Sequence, residues 1–493
     1  MYLEQINPYS IGKQHSRDKL HIIERIRLLF DDHSFEEYYP EQEESGGYDG
    51  VITGYGMIAG RKVFFYGQDF TCMGGTFGYR HSRQITAILK AAVAERKPVI
   101  GIYDGGGARI QEGAAAVAGC AELFRMNAEA SGSIPQISII AGTCAGGAVY
   151  SPGLTDFVFT IDSISNLFVT GAKVINEVQG TDYLIEELGG AKIHSGISGV
   201  AHCREPNEKS CYEKVRRLLT LLPSCYTEVQ PVYNDTYQEK DNRRIADLLP
   251  QDQQESYDVK PVLREILDDD SFLEVQAEFA QNIVVGFGAL SGITVGVVAN
   301  QTLHENGSID CDASDKAARF VQYCDCYNIP ILTFVDSTGF VMEAGQEYKG
   351  LIRHGAKMVH AYASATTLRL TVILRKAYGG SYIFMGCKQI GADRQYVWPG
   401  AEVAVMKAEG AVAVISHNQL SKLEGIERET YLKEQLAEYR KRYMNSHMVL
   451  ERHFVDEELR PEQTRKRLYQ DILTLSGAKE KRTIPKKNAN PPV

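Results

Sequence analysis

A chain of 493 residues, 44% of them hydrophobic, is too long for a single ordinary core, and two domains are the natural expectation. Its formal net charge of −10 argues against nucleic acid and against an anionic membrane surface as partners. The opening stretch, MYLEQINPYSIGKQHSRDK, has no apolar signal core, and no run of about 18 apolar residues offers a membrane span; the ten scattered Cys, with no CxxC pair, suit a reducing cytoplasm and predict no metal site.

In chain order, the first predicted element is an amphipathic helix with Ile22, Ile26, Leu29 and Phe30 on one face, running into the acidic turn DDHSFEE. Gly54-Tyr55-Gly56 then precedes a strand near 63–65, and a helix covers roughly Tyr79–Glu95. A buried strand, Pro98-Val-Ile-Gly-Ile-Tyr-Asp104, follows. Another helix leads to a third strand over 137–140, closed by Gly146-Gly147. Residues 227–258 are polar and rich in Pro, Gln and Asp, which reads as a linker and divides the chain into domains 1–240 and 241–493.

The same order then recurs. Val262, Leu263, Ile266 and Leu267 share a helical face ahead of DDDSFLE, in which Phe272 takes the place of Phe35. Gly286-Phe287-Gly288 precedes a strand near 294–298, with a helix over 315–327 after it. Pro330-Ile-Leu-Thr-Phe-Val-Asp336 repeats the Pro-to-Asp strand, with Asp336 in the place of Asp104. A strand at 371–374 ends in Gly379-Gly380, the counterpart of Gly146-Gly147. The step from Asp104 to Asp336 and the step from Gly146 to Gly379 differ by a single position. Landmarks spaced this uniformly mark an internal duplication of one β-α unit. The basic, Pro-containing tail, AKEKRTIPKKNANPPV, is expected to lie extended on the surface.

Two strand-to-helix turns stand out, Asp104-Gly-Gly-Gly-Ala-Arg109 and Gly142-Thr-Cys-Ala-Gly-Gly-Ala148. Glycine lets the backbone turn sharply, and the helix that follows presents unpaired N–H groups at the positive end of its dipole. Two such groups aimed at one point form an oxyanion hole, and a repeat of the arrangement in both halves implies two developing oxyanions. A lone Gly pair would more simply serve tight packing. Gly142-x-Cys144-x-Gly146 imitates a nucleophile elbow, but His194 and His202 are only loose triad partners, so Cys144 is expected to be a small buried packing residue. Met406-Lys407 has the residue pair of a biotin attachment site, yet AEVAVMKAEGAVAV reads as a strand running into a packed helix. GGGARIQEG lacks the ending of a P-loop, and His15, His33 and His304 are expected to face solvent.

At these residues the sequence resembles the acyl-CoA carboxyltransferase family, typified by the β subunit of propionyl-CoA carboxylase and including the α subunit of methylmalonyl-CoA decarboxylase. The resemblance covers almost the whole chain. It runs through DGVITGYGMIAGRKVFFYGQDFTCMGGTFG, GIYDGGGARIQEG, SGSIPQISIIAGTCAGGAVYSP, FVTGAKV, ELGGAKIHSGISGVAH and IDCDASDKAARFVQYCDCYNIPILTFVD. It continues with QEYKGLIRHGAKMVHAYA, RKAYGGSYIFMG, WPGAEVAVMKAEGA and KKNANPPV. The resemblance implies an α/β fold of two tandem crotonase-like (ClpP/crotonase) β-β-α superhelical domains. It assigns acyl-CoA to the N-terminal domain and carboxybiotin, borne on a separate carrier subunit, to the C-terminal domain. It implies a ring-like hexamer with each active site between two subunits, and as partners a biotin carboxylase and a biotin carboxyl carrier protein.

By the same resemblance the acyl-CoA hole is formed by the N–H groups of Gly147 and Ala148, and the biotin hole by those of Gly380 and Ser381. Gly106, Gly107, Ala108, Gly146, Gly379, Tyr382 and Ile383 are the expected substrate-contacting residues. The resemblance implies that the acyl group passes through an enolate, in keeping with the absence of a convincing triad or carboxylate pair. Ile383 stands where propionyl-CoA enzymes often carry Asp or Cys, which implies a short apolar acyl group. The chain departs from the family pattern in Asp336-Ser-Thr-Gly339-Phe340-Val-Met-Glu343, where Thr338 and Met342 replace prolines and a less rigid loop is expected. Ser381 replaces the usual Ala, Gly400 the usual Thr and Gly105 the usual Ser. Rival readings are the carboxyltransferase subunit of a sodium-pumping acyl-CoA decarboxylase, a non-catalytic scaffold subunit, and a crotonase-type hydratase or thioesterase using Glu112 as base.

Overall fold

Two apolar segments that occupy matching places in the halves, Val99–Gly105 and Ile331–Ser337, are buried at every residue. Continuous burial is what a parallel strand covered on both faces requires, and these two strands lie at the centres of two eight-stranded sheets. The structure is a computed structural model that describes residues 8–38, 48–228, 240 and 242–476. The tail expected to be extended lies outside the described residues. The chain forms two compact units, one of Met1–Pro231 with Gln276–Phe279, the other of Val232–Val275 with Ala280–Val493.

In the first unit the sheet runs, in spatial order, Glu36–Glu37, Val51–Ile58, Arg61–Gln68, Val99–Gly105, Gln136–Ala145, Phe157–Ile161 and Cys203–Glu205, with Asn166–Phe168 alongside the end of Gln136–Ala145. The first three strands pair antiparallel and the rest parallel. Ala59 and Gly60, both at positive φ, make the two-residue turn of the antiparallel hairpin, and the right-handed twist of the strands favours that geometry. Helices Tyr79–Glu95 and Ala114–Ala130 each connect one parallel strand to the next and pack on each other. Their inner faces, including Ile85, Ile88, Leu89 and Leu123, close a core with Phe64, Tyr103 and Ile140.

The second unit repeats this strand for strand. Its order is Leu273–Val275, Ile283–Leu290, Ile293–Asn300, Ile331–Ser337, Arg369–Tyr378, Arg394–Val397 and Glu457–Glu458, with Glu402–Ala404 beside the end of Arg369–Tyr378. Even the irregularities repeat. The register slips between Tyr103 and Gly105 in one sheet and between Val335 and Ser337 in the other, at the same step along the chain that separates Asp104 from Asp336. Isolated bridges Phe77↔Ala108 and Ile309↔Phe340 are related by that step too. The duplication expected from the sequence is therefore present down to single residues.

Three expectations need correction. The third strand does not stop near Ile140 but continues to Ala145, because Thr143, Cys144 and Ala145 pair with Asn166–Phe168; only from Gly146 does the chain turn. The helix expected over 315–327 begins at Cys311, where the Asp310 side chain accepts the Ala313 N–H at 2.7 Å and caps it. The supposed linker is shorter than 227–258, since Ile245 and Tyr257 belong to the core of the second unit; residues 229–239 and 241 lie outside the described residues. The segment around Met406-Lys407 is a strand, Glu402–Ala404, leading into helix Ala408–Ile415, as expected, although Val414 and Ile415 on that helix are exposed. Among the described residues no helix is long and apolar enough to cross a membrane.

Candidate functional site: two glycine turns at strand ends

In the first unit, the strand Gln136–Ala145 gives way to a short helix, Gly146–Val149, with Gly146 at φ +63°. The N–H groups of such a first turn have no carbonyl within their own helix to bond. Ala148 is buried, whereas the space beside Gly147 is open to 4 Å in the direction a Cβ would take. Residues 105–108 lie against this turn. A Cβ on Gly107 would stand 2.7 Å from the Ala145 carbonyl, so only glycine permits the approach, and its φ of +91° demands glycine as well. Thus the loop that carries Gly106, Gly107 and Ala108 meets the chain at Ala145 and Gly146, where the helix bearing Gly147 and Ala148 begins.

A third turn, Met73–Gly75, completes this cluster and was not singled out from sequence. Gly106 N–H donates to the Gly74 carbonyl at 3.1 Å, and Phe77 N–H to the Gly107 carbonyl at 2.8 Å. Arg109 clamps the assembly. Its Nη1 donates to Asp49 Oδ1 and Glu112 Oε1, both at 2.7 Å, and its Nη2 to the Thr76 carbonyl at 3.1 Å. Glu112 also accepts the Tyr79 N–H at 2.6 Å. Burial opposes its charge, but the Tyr79 N–H and Arg109 outweigh that and hold its carboxyl below the usual range. A carboxylate so engaged is a poor general base, which removes the support for the hydratase reading.

In the second unit the strand Arg369–Tyr378 leads through Gly379, at φ +54°, into the helix Gly380–Phe384. A Cβ on Gly379 would stand 2.8 Å from the Val405 carbonyl, and one on Gly380 2.5 Å from the Phe340 ring. Phe340 packs edge-on against Phe384 with centroids 4.7 Å apart, which sets the 337–341 loop beside the turn. Ser381 is fully buried and Tyr382 donates from its hydroxyl to Gln389 at 2.9 Å. Ile383 is 42% exposed, so within this chain it is not core. The loop lacking its prolines is pinned by Ile309 N–H to the Gly339 carbonyl and Val341 N–H to the Ile309 carbonyl, both 2.9 Å.

Beneath each turn lies a buried ion cluster that sequence reasoning missed. Asp104, immediately before the glycines, accepts from Lys19 Nζ at 2.5 Å and Arg25 Nη1 at 3.0 Å. Arg25 reaches on to Glu208 at 2.8 Å and to the Ala141 carbonyl at 2.8 Å. Burial opposes the charge of Arg25, yet Glu208, Tyr212 and Asp104 overcome it and raise its pKa. For Lys19 burial prevails over Asp104 and lowers the pKa. Asp336, the counterpart, accepts from Arg375 Nε at 2.7 Å, with Lys376 Nζ 3.8 Å away. Burial likewise lowers the pKa of Lys376 against the attraction of Asp336. The clusters fix the strand ends from which both turns spring.

The nucleophile elbow is not assembled. Cys144 is buried, and burial pushes its thiol up to about 12. His194 contacts the Leu167 carbonyl and Ser198, and His202 accepts the Val158 N–H at 3.1 Å. His15, His33 and His304 are exposed, as expected. Among the described residues no group of His, Cys, Asp and Glu is arranged to hold a metal ion.

Known proteins match this architecture over its full extent. The Carboxyl transferase domain family matches residues 13–490. The propionyl-CoA carboxylase carboxyltransferase subunit of Haloferax mediterranei is 43% identical, with 98% of this chain and 95% of that protein covered. The methylmalonyl-CoA decarboxylase subunit alpha of Veillonella parvula is 42% identical, with 98% and 95% covered. The transcarboxylase 12S crystal structure, described as a hexamer with methylmalonyl-coenzyme A and methylmalonic acid bound, superposes with a TM-score of 0.94 at 39% identity, covering 99% of this chain and 95% of that one.

Proposed function

The chain belongs to the carboxyl transferase family and is an acyl-CoA carboxyltransferase of the biotin-dependent kind with the crotonase-like fold, and from that premise we propose that its two glycine turns divide the reaction between them. The N-terminal unit takes the acyl-CoA at Gly147 and Ala148, with Gly106, Gly107, Ala108 and Gly146 shaping the approach. The C-terminal unit takes carboxybiotin at Gly380 and Ser381, with Gly379 and Tyr382 around it, while Ile383 is proposed to face the acyl group. The observation that carries this reading is the repeat itself: two helix first turns at the ends of equivalent strands, each with N–H groups free of intrahelical partners.

Carboxybiotin supplies the carboxyl group and, once relieved of it, a basic ureido nitrogen. The protein's part is electrostatic. The Gly147 and Ala148 N–H groups hold the thioester oxygen as the α-carbon loses its proton and charge moves onto that oxygen. Those of Gly380 and Ser381 hold the ureido oxygen. A single donor of this kind contributes about 3–4 kcal/mol to lowering the barrier. The open space beside Gly147 leaves room for a thioester to approach the pair. No side-chain base is required, in keeping with the engaged Glu112 and the buried Cys144.

The assembly is proposed to be a homohexamer, as reported for the transcarboxylase 12S protein, served by a biotin carboxylase and by a separate biotin carboxyl carrier protein in the cytoplasm, without a metal in this chain. A short apolar acyl group, acetyl to butyryl, is the expected substrate. The decarboxylase relative favours a second reading in which the same half-reaction runs in reverse. The deciding experiment is carboxyl exchange between carboxybiotin and a panel of acyl-CoAs, without ATP. Exchange on short acyl-CoAs is expected; hydration of an enoyl-CoA with no exchange would overturn the assignment.

A further inference from the structure

The two equivalent turns are locked by different means. In the first unit the loop 105–109 is held by Arg109, which bonds Asp49, Glu112 and both the carbonyl and the hydroxyl of Thr76. Its counterpart in the second unit is Val341, which has no such reach. In its place stand hydroxyl groups. Ser308 and Thr338 share a hydrogen bond at 2.8 Å between their hydroxyls. Ser337, fully buried, accepts the Gly339 N–H at 3.2 Å. Ser381, also fully buried, donates to the Tyr378 carbonyl at 2.8 Å and lies 3.4 Å from the Ser337 carbonyl.

The fold does not demand this set of hydroxyls. Where the second unit has Ser337, Thr338 and Ser381, the first has Gly105, Gly106 and Ala148, and the same strand end and helix start form there without them. Thr76, the counterpart of Ser308, faces the Arg109 clamp instead. We propose that Ser308, Thr338, Ser337 and Ser381 are positioning residues of the biotin-side turn: their hydroxyls hold the 337–341 loop against the first turn of Gly380–Phe384 and so set the direction of the Gly380 and Ser381 N–H groups. The inference rests on the reading that this turn binds carboxybiotin. A hydroxyl bonded to a buried carbonyl resists rotation of the peptide plane beside it, and an oxyanion donor loses effect once it points away from the charge.

The test uses the full-length assembled protein and carboxyl transfer from methylmalonyl-CoA to free biotin. In that reaction the C–C bond to the carboxyl breaks, an N–C bond to biotin forms, and the biotin N–H proton ends on the α-carbon, giving propionyl-CoA. Thr338→Val and Ser308→Ala are each expected to lower kcat/KM for biotin about fivefold, with KM for the CoA ester unchanged and the fold retained. The double variant is expected to lose no more than either single one, because one bond is removed in all three. Thr338→Ser is expected to restore the rate, and Ser381→Ala, which keeps the N–H, to lose it about as Thr338→Val does. Additive losses, equal changes in both KM values, or unaltered rates in the variants would overturn the inference while leaving the turn's assignment standing. A wild-type protein that transfers no carboxyl to biotin would overturn the assignment and the inference with it.

Discussion

Arg375 donates from Nε to the Asp336 carboxylate at 2.7 Å, both side chains buried, while its other nitrogens reach the Asp252 and Glu255 carbonyls at 3.2 and 2.9 Å. Removing one partner of a buried ion pair leaves a charge without compensation, which typically costs about 3–5 kcal/mol. Arg375→Met is therefore expected to destabilise by that order. Adding Asp336→Asn should recover part of the loss. Denaturant titration of the single and double variants checks this; strictly additive losses would show that the pair is not coupled.

Glycine substitutions should separate the two turns. Nothing lies within 4 Å of where a methyl on Gly147 would go, so Gly147→Ala should fold with an unchanged thermal midpoint. The methyl would stand in the space offered to the thioester, and kcat/KM for acyl-CoA should fall about tenfold. In Gly380→Ala the methyl meets the Phe340 ring at 2.5 Å, and overpacking of this kind costs about 1–3 kcal/mol. Equal stability of the two variants would contradict the geometry.

Ile383 tests acyl selection. Each methylene buried against an apolar wall gains about 0.8 kcal/mol, so Ile383→Asp should reduce kcat/KM for butyryl-CoA more than for acetyl-CoA. Identical ratios across acetyl-, propionyl- and butyryl-CoA in a folded, active variant would show that this side chain does not select.

His81 should make the protein acid-sensitive. Burial, opposed by the Asp49 carbonyl it touches at 2.9 Å, lowers its pKa from 6.5 to about 4. The unfolded chain thus takes up the proton first as pH falls. Stability from neutral His81 is complete above the unfolded value and is lost as pH drops from about 6.5 toward 4, by at most roughly 1.4 kcal/mol per pH unit. Urea midpoints of wild type and His81→Asn should diverge at neutral pH and converge toward pH 4; parallel curves would exclude the effect.

Cys144 should be chemically silent. With its thiol pushed up to about 12 by burial, native protein treated with a thiol alkylator at neutral pH should react at exposed Cys326 first and leave Cys144 unmodified. Cys144→Ala should keep carboxyl exchange within about threefold, the loss expected of a small packing change. Abolition of exchange in the folded variant would restore the nucleophile reading.

The duplication was legible because its marks are local. Apolar runs closed by Asp104 and Asp336 and glycine pairs at 146 and 379 can be seen one after the other along the chain, and the structure places them at equivalent strand ends. The length of the third strand was not legible, because Gly142 and Thr143 have turn chemistry while the partners of the stretch are distant in sequence: Thr143, Cys144 and Ala145 pair with Asn166–Phe168, and Cys144 also with Gly105. Nor were the ion clusters. Lys19 and Arg25 lie far ahead of Asp104 in sequence, and nothing in their own surroundings announces a buried carboxylate. Arg375 and Lys376 stood in plain view in RKAYGG, but strand periodicity gives no sign that both are buried.

The segment Gln276–Phe279 packs with the first unit although it follows the opening of the second. There Glu278 pairs with Arg204 at 3.0 Å and accepts the Ser195 hydroxyl at 2.7 Å, Gln276 bonds the His202 and Gly199 carbonyls, and Phe279 fills the place where Gly199 has no side chain. Division of the gene at any single point is accordingly expected to leave one product without a segment of its own unit or to burden it with part of the other. A break after residue 231 strips the upstream product of this segment, and one after residue 279 hands it the first helix and strand of its neighbour. Recombination that swaps halves between paralogues meets the same obstacle, so the two repeats, once fused, are expected to be inherited together.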